Sequence, residues 1–478
     1  MLFVGYGLIG VAIVIATLVL LYQAYGFGLG KNGSVIQNDL TFFSSQPNPA
    51  SIYVNGSLKN VSTNTRLVLP AGRYNVALAR DGYRDWQHTI ELSGGHVEHF
   101  DYPFLFPKQL TTKKLQSFAA APGFSTQSPD RRWLLVQQPT GFSKFELYDL
   151  KNPAKEPTSL SLPDNLISAA TGAQSWQLVE WAGDQDHVLL QHDYDGKTEY
   201  ILVNRPDPNQ SVNLNTSLSL SPAKLALKDK KFDQYYIYDA AGSLQTASLK
   251  NTTPVPRLQN VLAYKSYGSD TVLYVTAKDA PAGRVLVKLV SGKNTSTIRS
   301  LPAGTTYVTD LTKYSGTMYV AVGAASDNRV YIYKDPVGQL NDQPDHVPVP
   351  SQVLRVEQAN YLSFSTSAQF IVAENGQRFG VYDIENETGY NYSINEPLDA
   401  PQVHASWMDG NRLTYTTKDK VIVFDFDGTN YQPLMSASPN YLPAFSPDYK
   451  FVYALAPSTS TAGQTDFNQT SLLAPADQ

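Results

Sequence analysis

The pattern of hydrophobic positions changes abruptly near residue 25. Leu2 to Tyr25 holds no charged residue and is apolar over more than 20 positions. A helix rises about 1.5 Å per residue, so about 20 residues cross a hydrocarbon core of about 30 Å. A secretory signal peptide has a basic start and a shorter apolar region of about 7–15 residues. We therefore expect residues 1–25 to be a retained transmembrane anchor that contacts the lipid bilayer through residues 2–25.

The orientation of this span follows from the residues that flank it. No Lys or Arg precedes the span and Lys31 follows it, so the positive-inside rule, taken literally, places the bulk of the chain inside. The absence of cysteine and the many Tyr, Asn, Ser and Thr residues favour the opposite orientation. A basic leader upstream of Met1 would remove the conflict. We expect a single-pass protein with the bulk of the chain extracytoplasmic.

Period-two alternation replaces the apolar run after a spacer, which we place at residues 26–48. GFGLGKNG is too rich in glycine to continue a helix, whereas VIQNDLTFF could form a short strand. Residues 49–107 then alternate apolar and polar positions, with Asn55-Gly56 between two β-forming stretches. Asn-Gly favours the tight turn of a hairpin because both of its residues accept positive φ. The alternation predicts strands with one buried and one solvent-exposed face.

Three stretches within residues 49–107 carry a family resemblance. ASIYVNG, LVLPAGRYNVAL and DGYRDW, followed by an apolar strand, resemble the PEGA domain, a small surface-displayed β module. The resemblance implies a β-sandwich-like domain. It implies no catalytic residues.

Residues 109–478 contain a diffuse repeat. Its clearest copies, STQSPDRRWLLV and PAFSPDYKFVYAL, place a Ser-Pro-Asp turn at Ser128 and Ser446 between two apolar strands. About eight such units follow one another at intervals of roughly 38 to 53 residues. A β-hairpin plus a further strand every 45 residues or so is typical of propeller blades, so we expect seven or eight blades. LTTKKLQSF, near Leu110, is expected to add a strand to the last blade and close the ring.

The Ser-Pro-Asp copies resemble the TolB-like and WD-repeat families of β-propeller. This resemblance implies the propeller fold and no particular ligand. Taken together, the patterns predict an all-β protein in which one transmembrane helix precedes a small PEGA-like domain and a propeller.

Composition narrows the functional classes. The net charge is −5 and the pI near 5.8, which argues against a nucleic-acid partner. The 30 Tyr, 20 Phe and 5 Trp residues favour strands. The absence of cysteine excludes disulfides, thiol catalysis and thiolate metal sites. Asn-X-Ser/Thr triplets, the acceptor motif for N-glycosylation, begin at several positions, among them Asn55, Asn60, Asn251, Asn294 and Asn468. Such triplets arise by chance in a chain rich in Asn, Ser and Thr, so we give glycosylation little weight.

Two groups of imidazoles and carboxylates could be metal ligands. They are His96 with Glu98 and His99, and His187 and His192 with Asp193 and Asp195. A zinc site needs three or four converging ligands, whereas positions i and i+3 of a strand point to opposite faces. We therefore interpret both groups as polar turns.

DYDGKT at Asp193 and DFDGTN at Asp425 each contain Asp-X-Asp-Gly. A calcium loop needs oxygen ligands at more positions than these provide, so an Asp-Gly hairpin turn is the expected structure. The sequence thus predicts no catalytic residue, no metal ligand and no cofactor.

The missing motifs point away from several enzyme classes. The chain has no Gly-X-Ser-X-Gly elbow, no His-Glu-X-X-His and no phosphate-binding loop. We therefore predict a non-enzymatic binding or scaffold protein of the cell envelope, with a protein or glycan partner. The alternatives are an envelope glycan hydrolase with a carboxylate pair in the propeller funnel, and a structural spacer. The groups that line the central channel would discriminate between binding and hydrolysis.

Overall fold

The computed structural model describes residues 2–24, 26–29, 35–398 and 403–477. The chain forms two compact units. The first contains Met1–Thr111 together with Ser471–Gln478, and the second contains Thr112–Thr470. Lys31, on which the expected orientation partly depends, lies outside the described residues, as do Met1, Tyr25 and Gln478.

The chain begins with one long helix, α1 (Leu2–Ala24). Its segment Gly5–Tyr22 has a mean hydropathy of 2.2, and no part of that segment is buried within the protein. An apolar helix that packs against nothing is unfavourable in water. By length and composition the helix suits a membrane anchor, and a signal sequence shares the same properties.

Eight strands follow in the first unit and build two four-stranded sheets. The strands are β1 (Phe27–Leu29), β2 (Val35–Phe43), β3 (Ser51–Val54), β4 (Ser57–Ser62), β5 (Thr65–Pro70), β6 (Gly72–Ala79), β7 (Trp86–Leu92) and β8 (Val97–Phe100). In one sheet β2 pairs with β1 and β5 antiparallel and with β8 parallel. The order of the other sheet is β4-β3-β6-β7. The segment expected to be a spacer thus contributes β2, which lies within a sheet.

The two sheets share one core, as expected of a sandwich. Phe43 and Leu69 from the first sheet pack with Ile52, Val76 and Trp86 from the second. The predicted alternation is confirmed, because the inward positions of β6 and β7 are buried while the positions between them are more exposed. The predicted hairpin turn is also present, with φ of 49° at Asn55 and 75° at Gly56.

The sequence predicts that residues 109–478 belong to the propeller. In the structure, Ser471–Gln478 belong to the first unit instead. Ala474 is buried in the sandwich core. The buried hydroxyl of Tyr83 accepts a hydrogen bond from the Ala474 amide (2.9 Å) and donates one to the Asp477 carboxylate (2.7 Å). Arg80 forms an ion pair with the same carboxylate (2.7 Å). These contacts hold the last described residues against the sandwich.

The second unit consists of eight four-stranded antiparallel sheets, within the part of the chain that the structure describes. It begins with β9 (Thr112–Phe118). Blades 1 to 4 follow in order: β10 (Ser125–Gln127), β11 (Trp133–Gln137), β12 (Lys144–Asp149) and β13 (Thr158–Ser161); β14 (Gln174–Trp181), β15 (His187–Tyr194), β16 (Lys197–Asn204) and β17 (Val212–Asn213); β18 (Lys224–Leu227), β19 (Gln234–Tyr238), β20 (Leu244–Ser248) and β21 (Val255–Leu258); β22 (Val261–Tyr267), β23 (Thr271–Thr276), β24 (Arg284–Ser291) and β25 (Asn294–Pro302).

Blades 5 to 8 repeat the same arrangement: β26 (Tyr307–Tyr314), β27 (Thr317–Ala324), β28 (Arg329–Lys334) and β29 (Gln352–Leu354); β30 (Tyr361–Phe364), β31 (Phe370–Glu374), β32 (Arg378–Asp383) and β33 (Thr388–Ser393); β34 (Ser406–Trp407), β35 (Arg412–Thr416), β36 (Lys420–Asp425) and β37 (Gln432–Ser436); β38 (Ala444–Phe445), β39 (Phe451–Pro457) and β40 (Thr465–Ser471), completed by β9. Two short helices, α2 (Leu214–Leu218) and α3 (Pro336–Asp342), lie in connections between strands.

The eighth sheet closes the ring with a strand from the other end of the propeller. β9 pairs antiparallel with β40, with Phe118 opposite Thr465 and Thr112 opposite Thr470. The predicted closure through LTTKKLQSF is therefore confirmed. The Gln127 side chain, at the end of β10, joins blade 1 to blade 8 because its amide donates to the Phe445 carbonyl (2.7 Å).

Apolar packing joins each blade to the next. Shared clusters of buried side chains link blades 1 and 2, 2 and 3, 3 and 4, 4 and 5, 5 and 6, and finally 8 and 1. Phe370 stacks on Phe426 between blades 6 and 7, and the Thr416 hydroxyl donates to the Tyr441 carbonyl between blades 7 and 8. The described residues thus form a closed eight-bladed propeller, which settles the predicted number of seven or eight.

Candidate ligand-binding cavity

A cavity of about 930 Å³ lies within the propeller. Most of its lining comes from the first strands of five consecutive blades, β14, β18, β22, β26 and β30, and from residues beside them. The first strands of propeller blades face the central channel. The cavity is therefore part of the central channel. The groups that line this channel are the ones that would distinguish a binding protein from a hydrolase.

Tyrosine is the dominant aromatic residue of this cavity. Five half-buried tyrosines border it: Tyr238, Tyr264, Tyr267, Tyr307 and Tyr361. Their sheets hold them in place, because four lie on the first strands β22, β26 and β30 and the fifth ends β19. Four of the rings also pack against the cores between blades, two between blades 3 and 4 and two between blades 4 and 5. A tyrosine combines an apolar ring with one polar atom, so such a lining suits a ligand with both kinds of surface.

Neighbouring groups orient several of these rings. The Tyr238 hydroxyl donates to the Val261 carbonyl (2.8 Å), and the Tyr307 hydroxyl accepts from the Gly304 amide (2.8 Å). Tyr361 stacks almost parallel on His404, with ring centroids 4.2 Å apart. Burial raises the pKa of the Tyr264 and Tyr361 hydroxyls above its usual value. Both therefore stay protonated and neutral at physiological pH.

Most charged side chains at the cavity are paired with opposite charges, whereas the exposed Lys224 also lines it without an ion pair among the described residues. The Lys230 ammonium contacts the Glu180 carboxylate, which also accepts a hydrogen bond from the Leu227 amide (2.6 Å). The Lys231 ammonium, just outside the lining, lies 3.3 Å from the Asp229 carboxylate. These pairs cancel most of the charge at the cavity wall.

Lys265 and Asp310 form the deepest of these pairs. Their Nζ and Oδ1 atoms lie 3.5 Å apart, and the Lys265 side chain is 52% exposed while that of Asp310 is 11% exposed. The Asp310 carboxylate also accepts a hydrogen bond from the Phe364 amide (3.1 Å), which ties blade 5 to blade 6. The negative charge of Asp310 raises the pKa of Lys265, so its ammonium stays charged and is not a general base.

Two carboxylates at the cavity, Glu180 and Asp310, can be compared with the needs of glycoside hydrolysis. Glycoside hydrolysis needs one carboxylic acid that donates a proton and a second carboxylate that acts on the sugar ring or on water. Glu180 and Asp310 are each engaged by a lysine and a backbone amide. A carboxylate that served as the proton donor would first have to give up its ion pair.

The first group of candidate metal ligands lies in the sandwich. The backbone amide of His96 donates to the buried Asp39 carboxylate (2.7 Å). The ring of His99 stacks on Phe42, with centroids 4.7 Å apart. Burial and the charge of Asp39 raise the pKa of Glu98. These contacts tie the GGHVEHF segment to β2.

The second group lies in blade 2, where each imidazole has its own carboxylate. His187 Nδ1 lies 2.7 Å from Asp184, and its ring stacks on Phe232. His192 is fully buried, with Nδ1 2.8 Å from Glu199 and Nε2 3.1 Å from Gln174. Among the described residues, no three His, Asp or Glu side chains converge to hold a metal ion.

The Asp-X-Asp-Gly segments form turns whose carboxylates are bound by the protein itself. Asp195 accepts hydrogen bonds from the Thr171 amide (2.9 Å) and the Gly172 amide (2.9 Å). Asp193 accepts from the Thr198 hydroxyl (2.6 Å). Asp425 accepts from the Asn430 side chain (2.9 Å). These carboxylates therefore accept hydrogen bonds from the protein itself.

Sequence reasoning did not identify the cavity residues. Lys265, Asp310 and Tyr361 stand about 50 residues apart in three different blades and belong to no motif. The available signal was the repeated tyrosine in the first strand of successive repeat units. It is a weak signal, since tyrosine is also a common core residue of sheets.

The buried pair of His192 and Glu199 gives a prediction for acid stability. Burial alone would raise the pKa of Glu199, but hydrogen bonds from His192, Ser168 and Asn213 outweigh it and lower the pKa to about 2. A lowered pKa means that the pair stabilises the fold above about pH 4.5 and that this contribution is lost as the pH falls towards 2. Glu199→Gln should cost about 3 kcal/mol of unfolding free energy at pH 7 and progressively less below pH 4.5.

Denaturant unfolding of the full chain in detergent micelles, followed by tryptophan fluorescence, measures this difference. Trp176 reports on the site because its ring centroid lies 5.0 Å from that of His192. The exposed Glu156→Gln is the matched control and should change stability little at any pH. If Glu199→Gln lowered the unfolding free energy equally at pH 7 and pH 3, the pair would not owe its contribution to a lowered pKa of Glu199, and the prediction would be wrong.

Comparison with known proteins agrees with the two modules. Residues 41–105 match the sequence profile of the PEGA domain, which confirms the resemblance drawn from the sequence. No curated protein matches the chain in sequence.

The solved structures that resemble the chain are propellers of low sequence identity. The C-terminal WD40 domain of Sif2 is 12% identical, with 75% of this chain and 98% of that one covered and a TM-score of 0.46. An oligogalacturonate lyase in complex with manganese is 11% identical, with 76% and 98% covered and a TM-score of 0.40. The β-propeller domain of Cps50 (Swd1) from Myceliophteria thermophila is 12% identical, with 75% and 99% covered and a TM-score of 0.39. Since all three TM-scores are below 0.5, these likenesses carry no argument, and the chain is described by its own modules, a PEGA domain and a β-propeller.

Proposed function

We propose that this protein is a single-pass membrane protein of the cell envelope, with its PEGA domain and propeller outside the cytoplasm. In this proposal it is a binding protein, and the channel cavity takes an uncharged saccharide. The observation that carries the proposal is the cavity itself, whose lining includes five tyrosines and whose charged side chains are mostly paired.

The chemistry of the lining supports a saccharide. A sugar ring has apolar C–H faces and a polar rim of hydroxyls, and a tyrosine presents a matching apolar face with one hydroxyl. The cavity volume of about 930 Å³ is within the range of about 300–1,000 Å³ that small-molecule sites have. The lysines and carboxylates that form ion pairs offer hydrogen bonds to the hydroxyls of a sugar.

The alternative proposal is a glycan hydrolase that uses the same cavity. It would need one carboxyl group with a raised pKa beside a second free carboxylate. The ion-paired state of Glu180 and Asp310 supports binding without turnover. The two proposals share a ligand class and differ in whether products form.

Replacing cavity tyrosines tests the saccharide proposal. Calorimetric titration of the full chain with a panel of uncharged oligosaccharides should identify a binder. Tyr264→Ala and Tyr361→Ala should each weaken that binding at least tenfold, because each removes a stacking surface. Tyr264→Phe keeps the ring and should retain most of the affinity.

Tyr53→Ala, in the PEGA domain, is the matched control and should leave the affinity unchanged. Equal thermal melting of all variants would exclude unfolding as the cause of any loss. No saccharide binding by the unaltered chain, or unchanged affinity of both alanine variants, would refute the proposal. Release of shortened oligosaccharides would instead support the hydrolase.

The proposed topology is supported by the apolar helix α1 and by the lack of cysteine. A chain without cysteine allows a direct test, because a single introduced thiol has no background. The exposed residues Ser57, in the PEGA domain, and Ser221, in the propeller, are suitable positions.

Ser57→Cys and Ser221→Cys should both react with a membrane-impermeant maleimide added to intact cells. The cysteine-free parent is the control and should show no label. Labelling that appears only after the cells are lysed would place the bulk of the chain inside and contradict the proposed topology.

A further inference from the structure

A second cavity, of about 490 Å³, lies in the propeller where blades 5 and 6 adjoin. Its lining is Asp327, Asn328, Arg329, Arg355, Glu357 and Arg378. Asp327 and Asn328 precede β28, Arg329 begins it, Arg355 and Glu357 lie in the connection between the blades, and Arg378 begins β32. Three arginines in one small pocket are unusual in a chain whose net charge is −5.

The backbone around this pocket is fixed by hydrogen bonds between its parts. The Gln358 amide donates to the Asn328 side chain (2.9 Å), which joins blade 5 to the connection. The Asn375 side chain donates to the Glu357 carbonyl (2.7 Å) and accepts from the Arg378 amide (2.9 Å), which joins the connection to blade 6. The pocket is therefore preformed, and a ligand would not have to order it.

The two acidic side chains of the pocket already have partners. Glu357 forms an ion pair with Arg378. Asp327 accepts a hydrogen bond from the Tyr331 hydroxyl (2.8 Å). The exposed guanidinium groups of Arg329 and Arg355 have no ion pair or hydrogen bond within the described part of the chain. Three guanidinium groups against two carboxylates leave the lining with a net charge of +1.

We propose that this pocket binds a phosphate group carried by an envelope ligand. Arginine presents its donors in a planar fork that matches the oxygens of phosphate. The unpaired guanidinium groups of Arg329 and Arg355 together offer more hydrogen-bond donors than one carboxylate can accept. An anion with more oxygens, such as phosphate, is therefore favoured. The site is distinct from the tyrosine-lined cavity, and the proposal does not depend on what that cavity binds.

Calorimetric titration of the full chain in detergent micelles with inorganic phosphate tests the proposal, at constant ionic strength set by chloride. We expect saturable binding that Arg329→Gln combined with Arg355→Gln weakens at least tenfold. The combination of Arg66→Gln and Arg73→Gln is the matched control, because it removes the same charge from exposed positions of the PEGA domain and should leave binding unchanged. Acetate, a monocarboxylate, should bind more weakly than phosphate.

Dimethyl phosphate, a phosphodiester anion, identifies the form of the ligand. Binding of both probes would assign the pocket to a phosphodiester, and binding of inorganic phosphate alone would assign it to a terminal phosphate. No saturable binding by the unaltered chain, an equal loss in both double variants, or tighter binding of acetate would overturn the proposal. Equal thermal melting of the two double variants would show that any loss of binding reflects the pocket and not the fold.

Discussion

The pairing of β9 with β40 is the contact on which the propeller depends. Each blade of the ring packs its apolar face against the next, so a gap at any point would expose a sheet face and an unpaired edge. β9 comes from the start of the propeller and completes the last sheet, with Thr112 opposite Thr470. Cores shared by blades 8 and 1 then cover the junction. The channel cavity lies inside this ring, where the first strands of blades 2 to 6 meet.

The features that the sequence predicts well are those set by local chemistry. The hairpin at Asn55-Gly56 follows from two adjacent residues that accept positive φ. The Ser-Pro-Asp turns at Ser128 and Ser446 follow from a hydroxyl that bonds the aspartate two residues later. The closing strand is also predictable, because LTTKKLQSF is a β-forming stretch that precedes the first repeat unit.

The features that the sequence does not show are those that depend on distant segments meeting. Tyr83 and Asp477 are 394 positions apart in the sequence, and no local pattern predicts their hydrogen bond. The same holds for Lys265 and Asp310, which pair across two blades at the channel. A degenerate repeat predicts that blades exist, but the side chains at the channel differ from blade to blade, so the repeat carries no information about the cavity.

The two pockets of the propeller differ in the interactions they offer. In the channel, tyrosine faces and paired charges suit a neutral, hydroxyl-rich ligand. Between blades 5 and 6, unpaired guanidinium groups suit an anion. Under the two proposals, the propeller would hold two different chemical groups on one rigid support. The ring supplies that rigidity, since each blade is braced by both neighbours.

Hydrogen exchange at Thr112–Phe118 is the most direct test of this account. If the pairing of β9 with β40 closes the ring, the paired amides of β9 will be protected as strongly as those of the central strands of blade 8, and all will exchange together when the propeller opens. Rapid exchange along β9, while the rest of blade 8 stays protected, would contradict the claim that this pairing closes the ring.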